Sequence, residues 1–280
     1  MRATVLALAA LAGFAANSLL TRAALASGEL HAPAFALIRV ATGALVLALL
    51  TRTRDRRRDL ERQSWTGAVS LSVYLLAFTL AYTRIGAAVG ALLLFGAVQV
   101  SMIASGLTRG ERPRRTEALG GALAAAGLLW LTLPGATSPG LSGATLMILA
   151  GTAWGVYSID GRRSRDPLAD TARNFARATR LVGLPLLWLA WPPHGTLHGA
   201  ALAAASGAFA SGLGYTLWYA ALPSLTIWRA ATVQLAVPLV TAIAAAVLLG
   251  EALTARIGIA ALLIVIGVLL TTSARAPRRA

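Results

Sequence analysis

Aromatic side chains recur at helical spacing inside the long apolar runs of this sequence. Tyr74, Phe78 and Tyr82 are four residues apart and therefore share one face of a helix. Ring faces can stack on a ligand ring, and tyrosine hydroxyls can orient its polar groups. Packing between helices is the competing interpretation, and Tyr82 also suits an aromatic belt at the membrane interface. The spacing predicts a candidate binding face and leaves both interpretations open.

The second half of the chain repeats this aromatic pattern on two further runs. One carries Trp154 and Tyr157, and the other carries Tyr215, Trp218 and Tyr219. The glycines on either side of Trp154 equally favour close helix packing of the small-xxx-small type. Tyr219 has the same interfacial alternative as Tyr82. These five residues complete the predicted aromatic lining of a site.

Amide side chains lie well inside the apolar runs, where polar groups are expensive unless they face a partner or a wet cavity. Asn17, Gln99 and Gln234 could bind the carboxylate and ammonium of a zwitterion without adding charge. Hydrogen bonding between helices is the alternative for all three. We retain them as candidate substrate-binding residues.

Arg39 and Pro238 are unusual at their positions inside predicted membrane helices. Arg39 lies eight residues into its run, roughly 12 Å deep at about 1.5 Å per residue. It could bind a substrate carboxylate or pair with carbonyl groups at helix ends. Pro238 removes a backbone hydrogen bond in mid-helix and kinks the chain, which makes it a candidate hinge.

Composition indicates that these residues belong to a membrane protein. Hydrophobic residues make up 57% of the 280 and charged residues only 12%, about half the share in soluble domains. The net charge of +15 comes from arginines in blocks between apolar runs, which favours cytoplasmic membrane loops over a nucleic-acid surface. Cysteine is absent, and no histidine cluster has metal-ligand spacing. We expect no cofactor, no metal and no nucleic-acid partner.

The apolar runs predict an all-α integral membrane protein of ten transmembrane helices, since roughly 20 residues of helix cross the hydrocarbon. The first run is read as an uncleaved helix and not as a signal peptide, because Asn17 would interrupt a signal core. The predicted spans are residues 4–23, 31–50, 65–82, 85–106, 117–133, 141–159, 174–191, 199–221, 225–249 and 256–272.

Arginine distribution predicts the orientation. The arginine-rich segments 52–62, 109–115, 162–173 and 275–279 alternate so as to lie on one side of the membrane. Loops on that side are cytoplasmic by the positive-inside rule. Both chain termini are therefore expected in the cytoplasm.

Weak internal similarity predicts two halves, residues 1–135 and 136–280. Glu111 and Gly127 have the same spacing as Glu251 and Gly267, and each Gly-Glu pair joins two apolar runs. These pairs are read as turns with the glutamate near a helix N-terminus. Because five spans is an odd number, the second half must be inverted in the bilayer. Inverted repeats around a central cavity are typical of secondary transporters.

These residues resemble the drug/metabolite transporter superfamily, in its bacterial ten-helix branch of EamA-type exporters. The resemblance covers nearly the whole chain. It rests on Arg39, the AWGVY stretch at 153–157, Tyr82 and Tyr219 at the ends of their runs, Pro238 and both Gly-Glu pairs. Val98 replaces the proline in the first half, and Ala15-Ala16 replace a common Trp-Gly, so we expect the halves to bend differently.

The resemblance implies an inner-membrane exporter of small metabolites such as amino acids, with a cavity lined by the first four helices of each half. The aromatic content is similar to the aromatic amino-acid exporter branch. Every acidic residue falls in a loop or at a span edge. Proton-coupled carriers usually keep an ionisable relay within the membrane, so we expect facilitated diffusion over proton antiport.

Other functions remain as alternatives. A broad-specificity drug exporter of the same superfamily would also use an aromatic cavity, by cation–π contact. A membrane-embedded transferase is disfavoured because catalytic carboxylate or histidine clusters are not apparent. The expected partners are the small-molecule substrate and the lipid bilayer. Small residues on the tenth run would permit a homodimer and do not require one.

Overall fold

The structure is a computed structural model, and it describes residues 2–52, 65–132, 140–190, 194–250, 252 and 254–273. These ranges contain ten helices and no β-strand. The predicted arginine-rich residues 53–62 and 275–279, and Glu251 of the second Gly-Glu pair, lie outside them. The helices are α1 (Arg2–Ala26), α2 (Ala32–Leu50), α3 (Thr66–Tyr82), α4 (Ala87–Thr108), α5 (Arg115–Thr132), α6 (Leu141–Gly161), α7 (Pro167–Leu189), α8 (Leu197–Ser224), α9 (Ile227–Leu249) and α10 (Ala255–Ser273).

Six of these helices are long and apolar enough to cross a membrane by themselves. They are α1, α2, α4, α6, α8 and α9, with mean hydropathies between 1.2 and 2.2. Helix α3 and residues Gly258–Thr271 of α10 are apolar but shorter. The described part of the chain is thus that of a multi-pass membrane protein. Six helices meet the length and hydropathy criteria for a membrane span, which is fewer than the ten predicted.

Helix α7 begins earlier than the sequence predicted. The expected start was residue 174, whereas the helix begins at Pro167. Asp166 caps it by accepting a hydrogen bond from the Ala169 amide at 3.2 Å, and proline at the first helical position costs no backbone bond. Charged residues counted as a loop therefore belong to the first turns of α7, where Arg173 pairs with Asp170.

Two helices of the second half depart from regular α geometry. Residues Ser206–Leu213 of α8 form a π-helical segment. Helix α9 is interrupted between its parts Ile227–Val233 and Ala236–Leu249. The break begins four residues before Pro238. A proline ring clashes with the carbonyl group of the residue four positions earlier in a helix, which disfavours a regular helix at that point. Helix α4 is continuous through Val98, so the two helices differ in continuity at these positions, while the expected difference in bending stays a prediction.

Helices α5 and α10 pack together through glycines. A Cβ on Gly120 would lie 2.4 Å from the Gly267 carbonyl oxygen, and one on Gly127 would lie 2.8 Å from the Ala260 carbonyl oxygen. Backbone contact at this distance requires glycine, as in small-xxx-small interfaces. The remaining helices form a bundle in which α3 and α4 pack on α6, α1 packs on α8 and α9, and α2 packs on α7. The core lies at the centre of that bundle.

Loops or helix ends contact one another at each of the two ends of the bundle. At the first end the Thr196 amide donates to the Glu29 carbonyl oxygen at 2.7 Å, and Leu30 pairs with Gly195. At the opposite end Glu111 accepts hydrogen bonds from Arg162 at 2.9 Å and from the Ile227 amide at 3.1 Å. We call these the Glu29 end and the Glu111 end.

The glycines of both predicted Gly-Glu turns have a backbone conformation that suits a turn, while Glu251 lies outside the described residues. Gly110 and Gly250 adopt φ values of +78° and +66°, in the left-handed region that favours glycine. Glu111 then lies against the N-terminus of α9, since it accepts from the Ile227 amide. Negative charge is favourable there.

Candidate functional site

Aromatic rings from four helices meet at the centre of the bundle. Trp154 of α6 lies 4.5 Å from Tyr215 of α8, 5.1 Å from Tyr74 of α3 and 5.2 Å from its neighbour Tyr157, measured between ring centroids. Phe14 of α1 lies 5.1 Å from Trp154 in an edge-to-face arrangement. We call these five residues and Phe78, which is 5.1 Å from Tyr74, the aromatic cluster.

The other predicted aromatic residues lie at the edge of this cluster. Tyr82 packs edge-on against Phe78 at 4.7 Å, Trp218 packs against Phe14 at 5.7 Å, and Tyr219 packs against Tyr157 at 4.8 Å. Tyr82 and Tyr219 are 0% and 1% exposed. The interfacial-belt alternative for both is therefore wrong, because a belt residue keeps its hydroxyl in water.

Arg39 of α2 is fully buried beside the cluster. Its Nη2 donates to the Tyr215 hydroxyl at 2.7 Å and to the Tyr74 hydroxyl at 3.4 Å, and its Nε donates to Ser211 Oγ at 3.0 Å. The guanidinium carbon also lies 4.9 Å from the Phe78 ring centroid, within cation–π range. The partners are side chains, so the alternative of pairing with helix-end carbonyls is not what the structure shows.

Asn17 of α1 extends this network. Its Nδ2 donates to the Tyr74 hydroxyl at 3.1 Å, and its Oδ1 accepts from Ser206 Oγ at 2.7 Å. The Tyr215 hydroxyl donates in turn to that of Tyr74 at 3.2 Å. Side chains from α1, α2, α3 and α8 are thus joined by one set of hydrogen bonds around a single buried cation.

Gln234 joins the cluster from the other side. Its Oε1 accepts from Trp154 Nε1 at 2.7 Å, and Gln234 is the first residue of the break in α9, four residues before Pro238. Gln99 does not join the cluster. Its Nε2 donates to the Gly121 carbonyl oxygen of α5 at 3.2 Å, as the interhelical alternative predicted.

Sequence reasoning missed Phe14, Ser206 and Ser211. The two serines are five residues apart and both fully buried. This spacing fits the i→i+5 ladder of the π-helical segment, which places them on the same side of α8. The sequence offers only a run of small residues with two serines at that interval. Because π-helical segments are rare, such a run does not predict one.

A cavity of about 790 Å³ opens away from the cluster, at the Glu29 end. Leu30, His31, Thr83 and His194 are among the residues that line it. None of the predicted site residues does. In this conformation the rings of the cluster contact one another, and a ligand would have to separate them to bind between them.

The arrangement combines aromatic ring faces with a small set of polar groups. Its polar groups are one guanidinium, neutral hydroxyls and neutral amides. General acid–base catalysis needs a titratable donor and acceptor in reach of the substrate, and neither an Asp, a Glu nor a His of the described residues makes a hydrogen bond or an ion pair with Arg39.

Known proteins identify the family to which the chain is similar. Residues 141–273 match the EamA-like transporter family. An uncharacterised protein of Pseudomonas aeruginosa is 48% identical over 281 residues, covering 100% of this chain and 97% of that protein. One solved crystal structure is 19% identical in sequence and has a TM-score of 0.76, and the match covers 99% of both chains. At this identity the likeness concerns the fold alone. The chain therefore carries a domain of the EamA-like transporter family, and this match indicates a membrane transporter.

Proposed function

We propose that this protein exports small metabolites that combine an aromatic or hydrophobic body with a carboxylate, such as amino acids of that kind. One observation carries the proposal: Arg39 is buried against Tyr74, Phe78 and Tyr215 at the centre of the bundle. The rings provide stacking surfaces, and the guanidinium provides a donor for an anionic group. The site residues proposed for substrate are those of the aromatic cluster, together with Asn17, Gln234 and the edge residues Tyr82, Trp218 and Tyr219.

We further propose that residues 1–135 and 136–280 are inverted repeats of five transmembrane helices each. The contacts between α5 and α10 support this proposal. Gly120 meets Gly267, and Gly127 meets Ala260. Gly120 and Ala260 are 140 positions apart, and so are Gly127 and Gly267. The two contacts are therefore exchanged by a shift of 140 positions, as a two-fold axis between equivalent helices requires. The family match to residues 141–273 alone, beginning at α6, agrees with a boundary near residue 136.

The arginine donors of two contacts at the ends of the bundle obey the same shift, while their acceptors, Tyr82 and Leu225, are 143 positions apart. Arg22 Nη1 donates to the Tyr82 carbonyl oxygen at the end of α3, at 3.0 Å. Arg162 Nη2 donates to the Leu225 carbonyl oxygen just after α8, also at 3.0 Å. These arginines are 140 positions apart and lie at opposite ends of the bundle. They are suitable latches for alternating access, each holding one end closed, with Pro238 as the hinge in α9.

The proposed mechanism is facilitated diffusion, with both termini in the cytoplasm of a bacterium and the protein in its inner membrane. A proton antiporter would use a titratable relay near the substrate, and Arg39 stays charged at any accessible pH. A lipophilic cation would meet a positive charge at the centre of the site, which disfavours broad drug export. A homodimer is compatible with the fold and is not needed for the mechanism.

The test is uptake of labelled Phe, Trp, Met and Thr by purified protein in liposomes, with and without a pH gradient. We expect saturable uptake of the aromatic amino acids that the pH gradient does not change. Trp154→Leu should reduce it at least tenfold, while Trp188→Leu, which changes a lipid-facing residue of α7, should not. Transport of lipophilic cations in place of amino acids would refute the proposal, and so would accumulation driven by the pH gradient.

A further inference from the structure

The acidic residues of the described part of the chain are held at the ends of the bundle, away from Arg39. Most of them are paired with an arginine or a hydroxyl of their own. Glu29 contacts Thr196 and His198 at the Glu29 end. At the opposite end the pairs are Glu111 with Arg162, Glu117 with Arg229 and Asp170 with Arg173. The central guanidinium therefore has no acidic partner among the described residues.

Arg39 is also left with an unused donor. Its Nε and Nη2 are bonded to hydroxyls, but Nη1 is buried and has no hydrogen-bond partner among the described residues. A buried charge is expensive unless it is both paired and fully hydrogen-bonded. The tyrosine hydroxyls and the Phe78 ring compensate it only with dipoles. The site therefore has one unmatched positive charge and one unmatched donor on the same group.

We propose that Arg39 binds the carboxylate of the substrate and that the site prefers a net organic anion over a zwitterion, so that each net transport event moves one negative charge. The inference rests on the proposed function, because it assigns the charge of the substrate for that same aromatic site. A carboxylate would accept from Nη1 and neutralise the site, and it could also pair with Nη2 by displacing the Tyr74 hydroxyl, whose contact is the longer one at 3.4 Å. An aromatic 2-oxo or 2-hydroxy acid has this charge and keeps the flat ring.

The preference against a zwitterion follows from its second charge. The ammonium of an α-amino acid is only two bonds from the carboxyl carbon, so carboxylate binding would place it near the guanidinium. Like charges about 5 Å apart in a partly buried site repel enough to weaken binding by roughly tenfold or more. No carboxylate of the described residues contacts this region to offset the repulsion. The ammonium would have only neutral acceptors such as the hydroxyls of Tyr74 and Tyr215.

The charge carried in a full cycle equals the charge of the substrate, since Arg39 returns to its starting position whatever path it takes. A monoanion is therefore driven out of a cell by an inside-negative potential without any coupled ion. At equilibrium a potential of 100 mV corresponds to about fifty-fold accumulation of a monoanion. A zwitterion would gain nothing from the same potential.

The experiment measures net uptake by wild-type protein in liposomes, with an inside-positive potential set by potassium and valinomycin at constant pH. The probes are phenylpyruvate, phenylalanine and phenylalanine amide, which are an anion, a zwitterion and a cation with the same ring. Protein-free liposomes correct for leakage. We expect the affinity for phenylpyruvate to exceed that for phenylalanine by about tenfold or more. Only phenylpyruvate uptake should increase with the potential.

Variants test whether Arg39 is the cause. Arg39→Lys should keep the preference for the anion with weaker affinity, because lysine is a point charge without the fork. Arg39→Gln should abolish the preference, whereas the exposed Arg180→Gln on α7 should leave it intact. If Arg39→Gln does not fold, the wild-type comparison and Arg39→Lys still decide the matter.

The outcomes separate this inference from the proposed function. Saturable phenylalanine uptake, with affinity equal to or above that for phenylpyruvate, would overturn the anion preference and leave the proposed function standing. Phenylpyruvate uptake that ignores the potential would overturn the electrogenic step. Failure of both phenylpyruvate and phenylalanine, or uptake of the amide alone, would refute the proposed function itself.

Discussion

The hydrogen bond between Tyr215 and Arg39 can be removed almost without changing the shape of the core. In Tyr215→Phe the ring remains and only the hydroxyl is lost, so no cavity larger than one oxygen is created. Arg39 Nη2 then keeps only its 3.4 Å contact with the Tyr74 hydroxyl. The substitution leaves a second nitrogen of a fully buried cation without a good partner, in addition to Nη1.

The expected loss of stability is set by the charge on Arg39. A hydrogen bond to a charged group contributes about 1.5–3 kcal/mol, whereas neutral hydrogen bonds between membrane helices average roughly 0.6 kcal/mol. Tyr219→Phe is the matched control, since the same residue type there makes only neutral bonds. Its hydroxyl donates to the Tyr157 carbonyl oxygen at 3.1 Å and accepts from Asn174 Nδ2 at 3.4 Å. We therefore expect Tyr215→Phe to destabilise the protein at least twice as much as Tyr219→Phe.

The assay is reversible unfolding in mixed micelles titrated with a denaturing detergent. A double-mutant cycle with Arg39→Leu isolates the interaction, and the coupling energy between the two positions should be about 1–3 kcal/mol. Equal losses for Tyr215→Phe and Tyr219→Phe would refute the reasoning. So would a Tyr215→Phe effect that persists unchanged when Arg39 is replaced.

Two further predictions concern packing and pH. Gly151→Ala should destabilise the protein by about 1–3 kcal/mol, because the new Cβ would lie 2.2 Å from the Leu94 carbonyl oxygen. Gly258→Ala is the control and should not destabilise it, since a Cβ there would have no neighbour within 4 Å. Equal unfolding midpoints for the two variants would contradict this prediction. Hydrogen bonding from Thr196 and then His198 lowers the pKa of Glu29 below its usual value. Its contact therefore stabilises the fold above the ordinary glutamate range and is lost as the pH falls through that range. The difference in thermal midpoint between wild type and Glu29→Gln should shrink between about pH 5 and about pH 3, and a constant difference would exclude a role for ionised Glu29.

The positions of most helices could be predicted from the sequence. Segments that cross the hydrocarbon must be apolar, and the charged residues between them mark the loops. The exceptions have local causes. The start of α7 was misplaced since its first turns are polar, and only the cap at Asp166 and Pro167 indicates where it begins. The break in α9 was predictable from Pro238, but the π segment of α8 was not, because no residue there is barred from an α-helix.

The aromatic members of the site were predictable from helical spacing, and the structure brings them together. Their hydrogen bonds were not, since pairs such as Arg39 with Ser211 are 172 positions apart in the chain. Spacing along one helix says which face a residue shares and nothing about which helix lies opposite. Gln99 illustrates the limit. It is a buried glutamine like Gln234, but it donates to the backbone of α5 and not to the aromatic cluster.

The π-helical segment Ser206–Leu213 gives α8 an adjustable register. A residue of an α-helix turns the chain by about 100°, so replacing the i→i+5 ladder by i→i+4 bonds would rotate everything that follows by about that angle. Ser206 begins the segment, and Tyr215 comes after it. Such a rotation would carry the Tyr215 hydroxyl away from Arg39 while the start of α8 stayed in place. A change of register in this segment would therefore break the hydrogen bond between Arg39 and Tyr215 in the proposed substrate site.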